Sequence, residues 1–282
     1  MKSYLYLFLF LCVATVSSAQ SLVWAGQFSS DQELSLTDMV IDPSSNIYLT
    51  GNFNGSADFN PGAPVTELTG KSFIVKLNQS GALIWARTFN GSSLDAVAID
   101  ESQNVFLAFN LQDSLDVDPG MDEEIITALG PTDMVFVKLN FLGNFEWARH
   151  LEGTDSKRVL DITIDGFDNL VATGGFHGTL DFDPGTAMEE LTSDGGEDIF
   201  VLKLTNEGDF NLARRIGGPG DDYALRVATD LNSGMHLYGE FTGTVDFNPG
   251  LDFVNVTAEG NTDLFYLTLQ SFGVLNNDSS FG

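Results

Sequence analysis

An all-β fold built from repeated four-stranded units is predicted by three observations: a short acidic string that recurs four times, an aspartate sixteen residues before each copy, and an alternating strand-like segment downstream of each copy. The strings are Asp58-Phe59-Asn60-Pro61-Gly62, Asp116-Val117-Asp118-Pro119-Gly120, Asp181-Phe182-Asp183-Pro184-Gly185 and Asp246-Phe247-Asn248-Pro249-Gly250, spaced by 58, 65 and 65 residues. The preceding aspartates are Asp42, Asp100, Asp165 and Asp230.

Each unit of about 62 residues reads as four strands in order. The first ends at the early aspartate in an apolar stretch such as MVID or VAID, and the second is NIYLTGNF or NVFLAFNL. The third is FIVKL (73–77), VFVKL (135–139), FVLKL (200–204) or FYLTL (265–269). The fourth carries Trp85 or Trp147, nine residues past Lys76 or Lys138, with Leu212 nine past Lys203. β-Branched and aromatic residues fill these runs, while Gly, Asn, Asp, Pro and Ser fill the gaps. No segment sustains a helical period.

Repeated four-stranded antiparallel units are the pattern of propeller blades. The fourth unit stops after FYLTL, and SLVWAGQF (21–28) is an orphan copy of the missing strand. Its Trp24 stands 18 residues before Asp42, the interval also found from Trp147 to Asp165 and from Leu212 to Asp230. The expectation is a β-propeller of four blades of four antiparallel strands, closed by the N-terminal strand completing the last blade, which removes exposed sheet edges. Its units are 30–89, 90–151, 152–216 and 217–272 plus 21–28, within a propeller at 20–273 that precedes a tail or linker at 274–282.

The 282-residue chain has 40 Asp plus Glu against 12 Lys plus Arg, a net charge of -28. That surface repels phosphate, which argues against nucleic acid and anionic membranes as partners. Hydrophobic residues at 43% and 23 Phe supply a core. Lys2, the apolar run Tyr4–Val16 and the small Ser17 and Ala19 form the layout of a signal peptide at 1–19. About 13 apolar residues are too few to span a bilayer. Cleavage after Ala19 leaves 263 residues without the single cysteine, Cys12, so no disulfide is expected. The expected location is secreted, extracellular or on the cell surface.

The strings TGNFNGSADFNPG, TGGFHGTLDFDPG and GEFTGTVDFNPG, with DIFVLKL and IWAR, resemble the SBBP-like β-propeller repeats of exported proteins of the Bacteroidetes type. The resemblance covers about 21–272. It implies cargo of a secretion system that reads a C-terminal sorting domain, and FGVLNNDSSFG resembles the linker into one.

The DxDPG loops are the candidate metal sites, through Asp58, Asn60, Asp116, Asp118, Asp181, Asp183, Asp246 and Asn248. Two oxygen-bearing side chains before a sharp Pro-Gly turn can converge on Ca²⁺, although a calcium loop needs six to eight oxygens. The same residues are also turn chemistry, the side chain accepting a backbone N–H. No cofactor is required by either reading.

Lys76, Lys138, Lys203, Arg87, Arg149 and Arg214 occupy two recurring strand positions and are expected to pair with the recurring aspartates, the sharper alternative being a ligand-binding ring of cations. Trp24, Trp85 and Trp147 are expected in inter-blade core rather than as a sugar-stacking platform, because Leu212 takes the same place. The histidines His150, His177 and His236 align with Thr88, Asn54 and Ile47, and no nucleophile elbow or zinc pair surrounds them. The function expected is a non-catalytic scaffold that binds or displays toward a surface glycan or another exported protein. The alternatives are a polysaccharide hydrolase or lyase, with Asp221-Asp222 and Glu189-Glu190 as its acid pairs, and a spacer for a further C-terminal domain.

Overall fold

The computed structural model describes residues 23–250 and 252–275. The leader at 1–19 and residues 276–282 of the tail lie outside the described residues. The described residues contain strands and turns but no helix, so no helix is long and apolar enough to cross a membrane.

The units form successive antiparallel sheets, each taking its strands in chain order. The first has Leu34–Ile41, Ile47–Asp58, Glu67–Leu77 and Leu83–Phe89, with Ser29–Ser30 added beside Asp58 and Ala57. Ser93–Ile99, Val105–Leu111, Asp133–Leu139 and Phe145–Leu151 make the second. Lys157–Ile164, Leu170–Phe176, Asp198–Leu204 and Phe210–Ile216 make the third. Only Tyr223–Thr229, Met235–Phe241 and Asp263–Leu269 make the fourth. The first strands of consecutive sheets lie side by side, which stacks the sheets face to face.

The ends depart from the expected closure. Residues 23–28 form no strand, and beside Asp263–Leu269 the described residues supply only a single antiparallel bridge, Leu275 to Leu269, where the outer strands of the other sheets begin. Trp24 instead rests on the first sheet, its indole N–H bonded to the Gln79 carbonyl at 3.0 Å.

Two turns explain the constant intervals. The early aspartate caps the turn between first and second strands: Asp42 Oδ1 accepts the Asn46 N–H at 2.8 Å and Asp100 Oδ1 accepts that of Asn104 at 2.8 Å. Each of these turns passes through a left-handed residue, with φ of 64° at Ser45, 66° at Gln103, 59° at Asp168 and 59° at Ser233. Between third and outer strands, Gly81, Gly143, Gly208 and Gly273 have φ of 74° to 80°. A Cβ there would also collide with a neighbour, as at Gly81, where Trp24 would lie 2.7 Å away.

Sheet contacts are sealed by polar groups as well as apolar ones. A bulge interrupts each first strand, between Leu94 and Ala96 in the second sheet and between Val159 and Asp161 in the third. The N–H of Leu94 goes to Asn52 Oδ1 at 3.0 Å and that of Val159 to Asn110 Oδ1 at 2.8 Å, each acceptor on the preceding sheet. The apolar cores lie between sheets: Tyr48 and Ile74 meet Leu107 and Val135, while Phe106 and Phe136 meet Leu170 and Leu202.

Candidate functional site

The DxDPG strings sit at the tips of small hairpins that branch from the sheets. In three units these are separate pairs, such as Thr179–Asp181 with Glu190–Thr192, and in the first unit they continue the long strands Ile47–Asp58 and Glu67–Leu77. The leading aspartate always forms the last strand pair, Asp58 with Glu67, Asp116 with Ile125, Asp181 with Glu190 and Asp246 with Asn255.

Every one of these loops uses its side-chain oxygens in the same way. Asp181 Oδ1 accepts the N–H groups of Asp183 at 3.0 Å and Glu189 at 2.8 Å, and Asp183 Oδ1 accepts that of Gly185 at 2.7 Å. Asp58 receives Asn60 and Thr66, and Asn60 receives Gly62. Asp116 receives Asp118 and Glu124, and Asp118 receives Gly120. Asp246 receives Asn248 and Val254, and Asn248 receives Gly250. The eight candidate ligands are therefore paired within four separate loops, each closed by backbone donors. Among the described residues no three His, Cys, Asp or Glu side chains gather as a metal cluster.

The recurring cations are committed to the scaffold. Arg87 donates from Nε to Gly143 O at 2.8 Å and from a terminal nitrogen to Leu142 O at 3.0 Å. Arg149 repeats this on Gly208 and Glu207, and Arg214 on Gly273 and Phe272. These arginines thus bind carbonyls of the next sheet rather than the recurring aspartates. The lysines are buried; Lys203 meets Asp165 at 2.9 Å and Lys76 meets Asp42 at 3.9 Å, whereas Lys138 pairs with Glu146 at 3.1 Å. Trp85 and Trp147 donate to Phe141 O at 3.2 Å and Asn206 O at 3.0 Å of the following sheet, and the Leu212 side chain fills the same slot against Gly273.

Several acidic residues escape the sequence pattern. Asp133 and Asp198 occupy one sheet position and are both buried. Asp133 binds Lys157 Nζ at 2.8 Å and His150 Nε2 at 2.8 Å; burial alone would raise its pKa, but these bonds and the Leu129 N–H hold it below the ordinary value. Asp222 is buried and pushed up to about 6 by that burial, against the N–H groups of Thr242 and Gly218 that its two oxygens accept. Of the acid pairs, Asp221 is exposed beside the buried Asp222 and accepts the Glu197 N–H at 3.0 Å, while Glu189 is half-buried and Glu190 exposed at the start of the hairpin strand Glu190–Thr192. The register also corrects one alignment: His236 pairs with Thr268 as Tyr48 pairs with Lys76, so it stands at the Tyr48 position and not that of Ile47.

One cleft breaks the repeat. Between the margins of the first and second sheets lies a cavity of about 410 Å³ lined by Asn52, Asn54, Lys71, Ser92, Asn110 and Gln112. Asn54, Lys71 and Gln112 are exposed within it. The third and fourth units carry Gly175 and Glu240 where the cleft has Asn52 and Asn110, so the amide pair exists only here.

No family model matches the chain. It is 26% identical over 231 residues to an uncharacterized WD repeat-containing protein, L264, of Acanthamoeba polyphaga mimivirus, a match that covers 70% of this chain and 16% of that protein. It is 24% identical over 209 residues to the regulatory protein FlaEY of Caulobacter vibrioides, covering 71% of this chain and 22% of that one. The chain thus spans less than a quarter of either curated relative. An all-β chain of repeated antiparallel sheets that is similar to a WD repeat-containing protein fits a propeller-like repeat architecture.

Proposed function

We propose that the chain is an exported, non-catalytic propeller of the SBBP-like type whose four units are blades, and that it binds a glycan in the cleft between its first two blades. The observation that carries this reading is the amide-lined cleft of about 410 Å³. The Asn52 and Asn110 oxygens are taken by the Leu94 and Val159 N–H groups, whereas the exposed Asn54 and Gln112 each offer a donor pair and an acceptor, the combination that matches the hydroxyls of a sugar. The scaffold's own cations and indoles are spent between sheets, which leaves loop and margin residues to supply specificity. Export is supported by the leader-like layout of residues 1–19.

Glycan-array binding followed by titration calorimetry tests the reading. A ligand should be retained without turnover, and Asn54→Ala with Gln112→Ala should weaken it at least tenfold while leaving the melting temperature unchanged. Release of cleaved product, or equal binding by the double variant, overturns it.

A further inference from the structure

The sheets build three complete apolar cores and leave two halves. Each complete core joins the far face of one sheet to the near face of the next: Tyr48 and Ile74 with Leu107, Phe136 with Leu202, Val201 with Leu237. Among the described residues, the near face of the first sheet, with Phe53, Phe73 and Val75, meets only Trp24 and Phe28 of the preceding segment and residues of its own sheet, and the far face of the fourth sheet meets no other sheet.

Residue-by-residue comparison shows what is missing. Leu36 is 58% exposed, although Leu94, Val159 and Ala224 at its position are fully buried. Met39 is 61% exposed where Val97, Ile162 and Val227 are buried. On the opposite end, Leu264 and Tyr266 are 62% and 63% exposed, although Met134 and Ile199, and Phe136 and Val201, are fully buried at those positions. Tyr238 is 43% exposed where Thr50, Ala108 and Thr173 are fully buried. These are the two halves of one further inter-sheet contact.

The N-terminal segment is placed for the same contact. Trp24 donates to Gln79 O as Trp85 donates to Phe141 O and Trp147 to Asn206 O, and it covers Gly81 as Trp85 covers Gly143. Residues 23–28 therefore hold the place of an outer strand belonging to a sheet ahead of the first. No such sheet occurs among the described residues, while along the outer edge of the fourth sheet the described residues place only Leu275, bridged to Leu269, and leave Asp263–Thr268 without a neighbouring strand. Among the described residues one end thus carries a spare segment and the other has only the first bridge of an outer strand.

We infer that two copies of the chain associate head to tail, the far face of the fourth sheet of each covering the near face of the first sheet of the other. Residues 23–28 of one copy then complete the partner's last sheet along Asp263–Leu269. A second copy is the occupant because both faces are open at once within a single chain, so its own ends do not cover each other. Two copies make two identical contacts and close a ring of eight sheets, the upper end of the usual propeller range of four to eight. The composition of the open face agrees: Tyr238 and Tyr266, the latter bonded to His236 at 2.7 Å, stand where internal faces carry Thr50, Ala108 and Thr173, and Ile74, Phe136 and Val201. Such side chains tolerate water before assembly and bury apolar area after it. The inference shares the blade reading with the proposed function but uses a different surface.

Sedimentation equilibrium should give twice the 30.5 kDa chain mass, and Leu264→Asp or Leu36→Asp should halve it. Because either variant can unfold, a second measurement places cysteines at Gly26 and Tyr266, which face one another if the pairing of Arg87 with Ile74 is repeated across the contact. In a Cys12→Ser background, Gly26→Cys chains mixed with Tyr266→Cys chains should form a disulfide-linked pair on oxidation. A monomer at every concentration, an open-ended polymer, or a disulfide that forms within one chain of the double variant overturns the inference. Glycan binding by a monomeric variant separates failure here from failure of the cleft.

Discussion

Lys157 Nζ lies 2.8 Å from Asp133 Oδ1, and the two buried residues belong to adjacent sheets, third and second. The ammonium also donates to the carbonyls of Thr132, Gly153 and Asp155, so its charge is fully enclosed by acceptors. Removing one member of such a pair leaves the other charge buried. Lys157→Met should therefore destabilise the fold by about 3–5 kcal/mol in urea titration, the cost typical of a broken buried pair. Lys157→Met combined with Asp133→Leu should recover part of that loss, because the second change also strips the Leu129 N–H and His150 of their acceptor.

The indole slots tolerate leucine in the one place where the chain already uses it. Trp147→Ala should cost about 3 kcal/mol through the cavity it leaves beside Phe106, from which it lies 6.0 Å between ring centroids. Trp147→Leu should cost less than half as much, since Leu212 fills the equivalent slot with its side chain against Gly273. Chemical denaturation of the two variants side by side checks the ratio.

The DxDPG oxygens predict calcium independence. Asp181→Ala removes the acceptor of two backbone N–H groups and should cost about 1–3 kcal/mol, whereas Asp183→Ala removes one and should cost about 1. EDTA followed by millimolar calcium should leave the melting temperature in place. A calcium-dependent rise of several degrees would show that the loops reopen for the ion.

Acid titration should show two opposed limbs. Burial between first strands raises Asp161 to about 6, although its carboxylate accepts the Val227 N–H at 2.8 Å, and burial raises Asp222 similarly. Both bind a proton more tightly folded than unfolded, so stability rises as pH falls from 7 through 6 toward the unfolded value of 3.8. Asp42, Asp133 and Asp165 are held below 3.8, so the stability they give is lost only at lower pH. The melting temperature should peak at about pH 4–5. Asp161→Asn should raise it at pH 7.5 and raise it less at pH 4.5.

The repeat made most of the scaffold legible, because the fixed intervals from aspartate to DxDPG string and from lysine to indole position are imposed by turns that recur unchanged. Asp42 and its equivalents were readable for that reason, and so were the indole positions. Lys157 and Asp133 were not: they lie in different units and meet only when two sheets stack. The short hairpins carrying the DxDPG tips were hidden as well, since three-residue strands leave no period. The ends mislead most, because the WAGQF segment has the residues of an outer strand while its partner sheet is absent from its side. The amide cleft depends on side chains from two units, at positions where each unit differs from the others.

The arginine and indole contacts run in one sense along the chain. Arg87, Arg149 and Arg214 each reach forward to the turn of the following sheet. Each sheet is thereby fastened at its far turn by the one before it, and the stack behaves as a one-dimensional series of nearest-neighbour couplings with a leading and a trailing end. Among the described residues the fourth sheet is the trailing member: it is held from behind, holds no following sheet, and has only the Leu275–Leu269 bridge along its outer edge. In a monomeric variant such as Leu264→Asp, fraying starts at the trailing member and travels backward, so amide exchange should be fastest in Asp263–Leu269 and slowest in the second and third sheets.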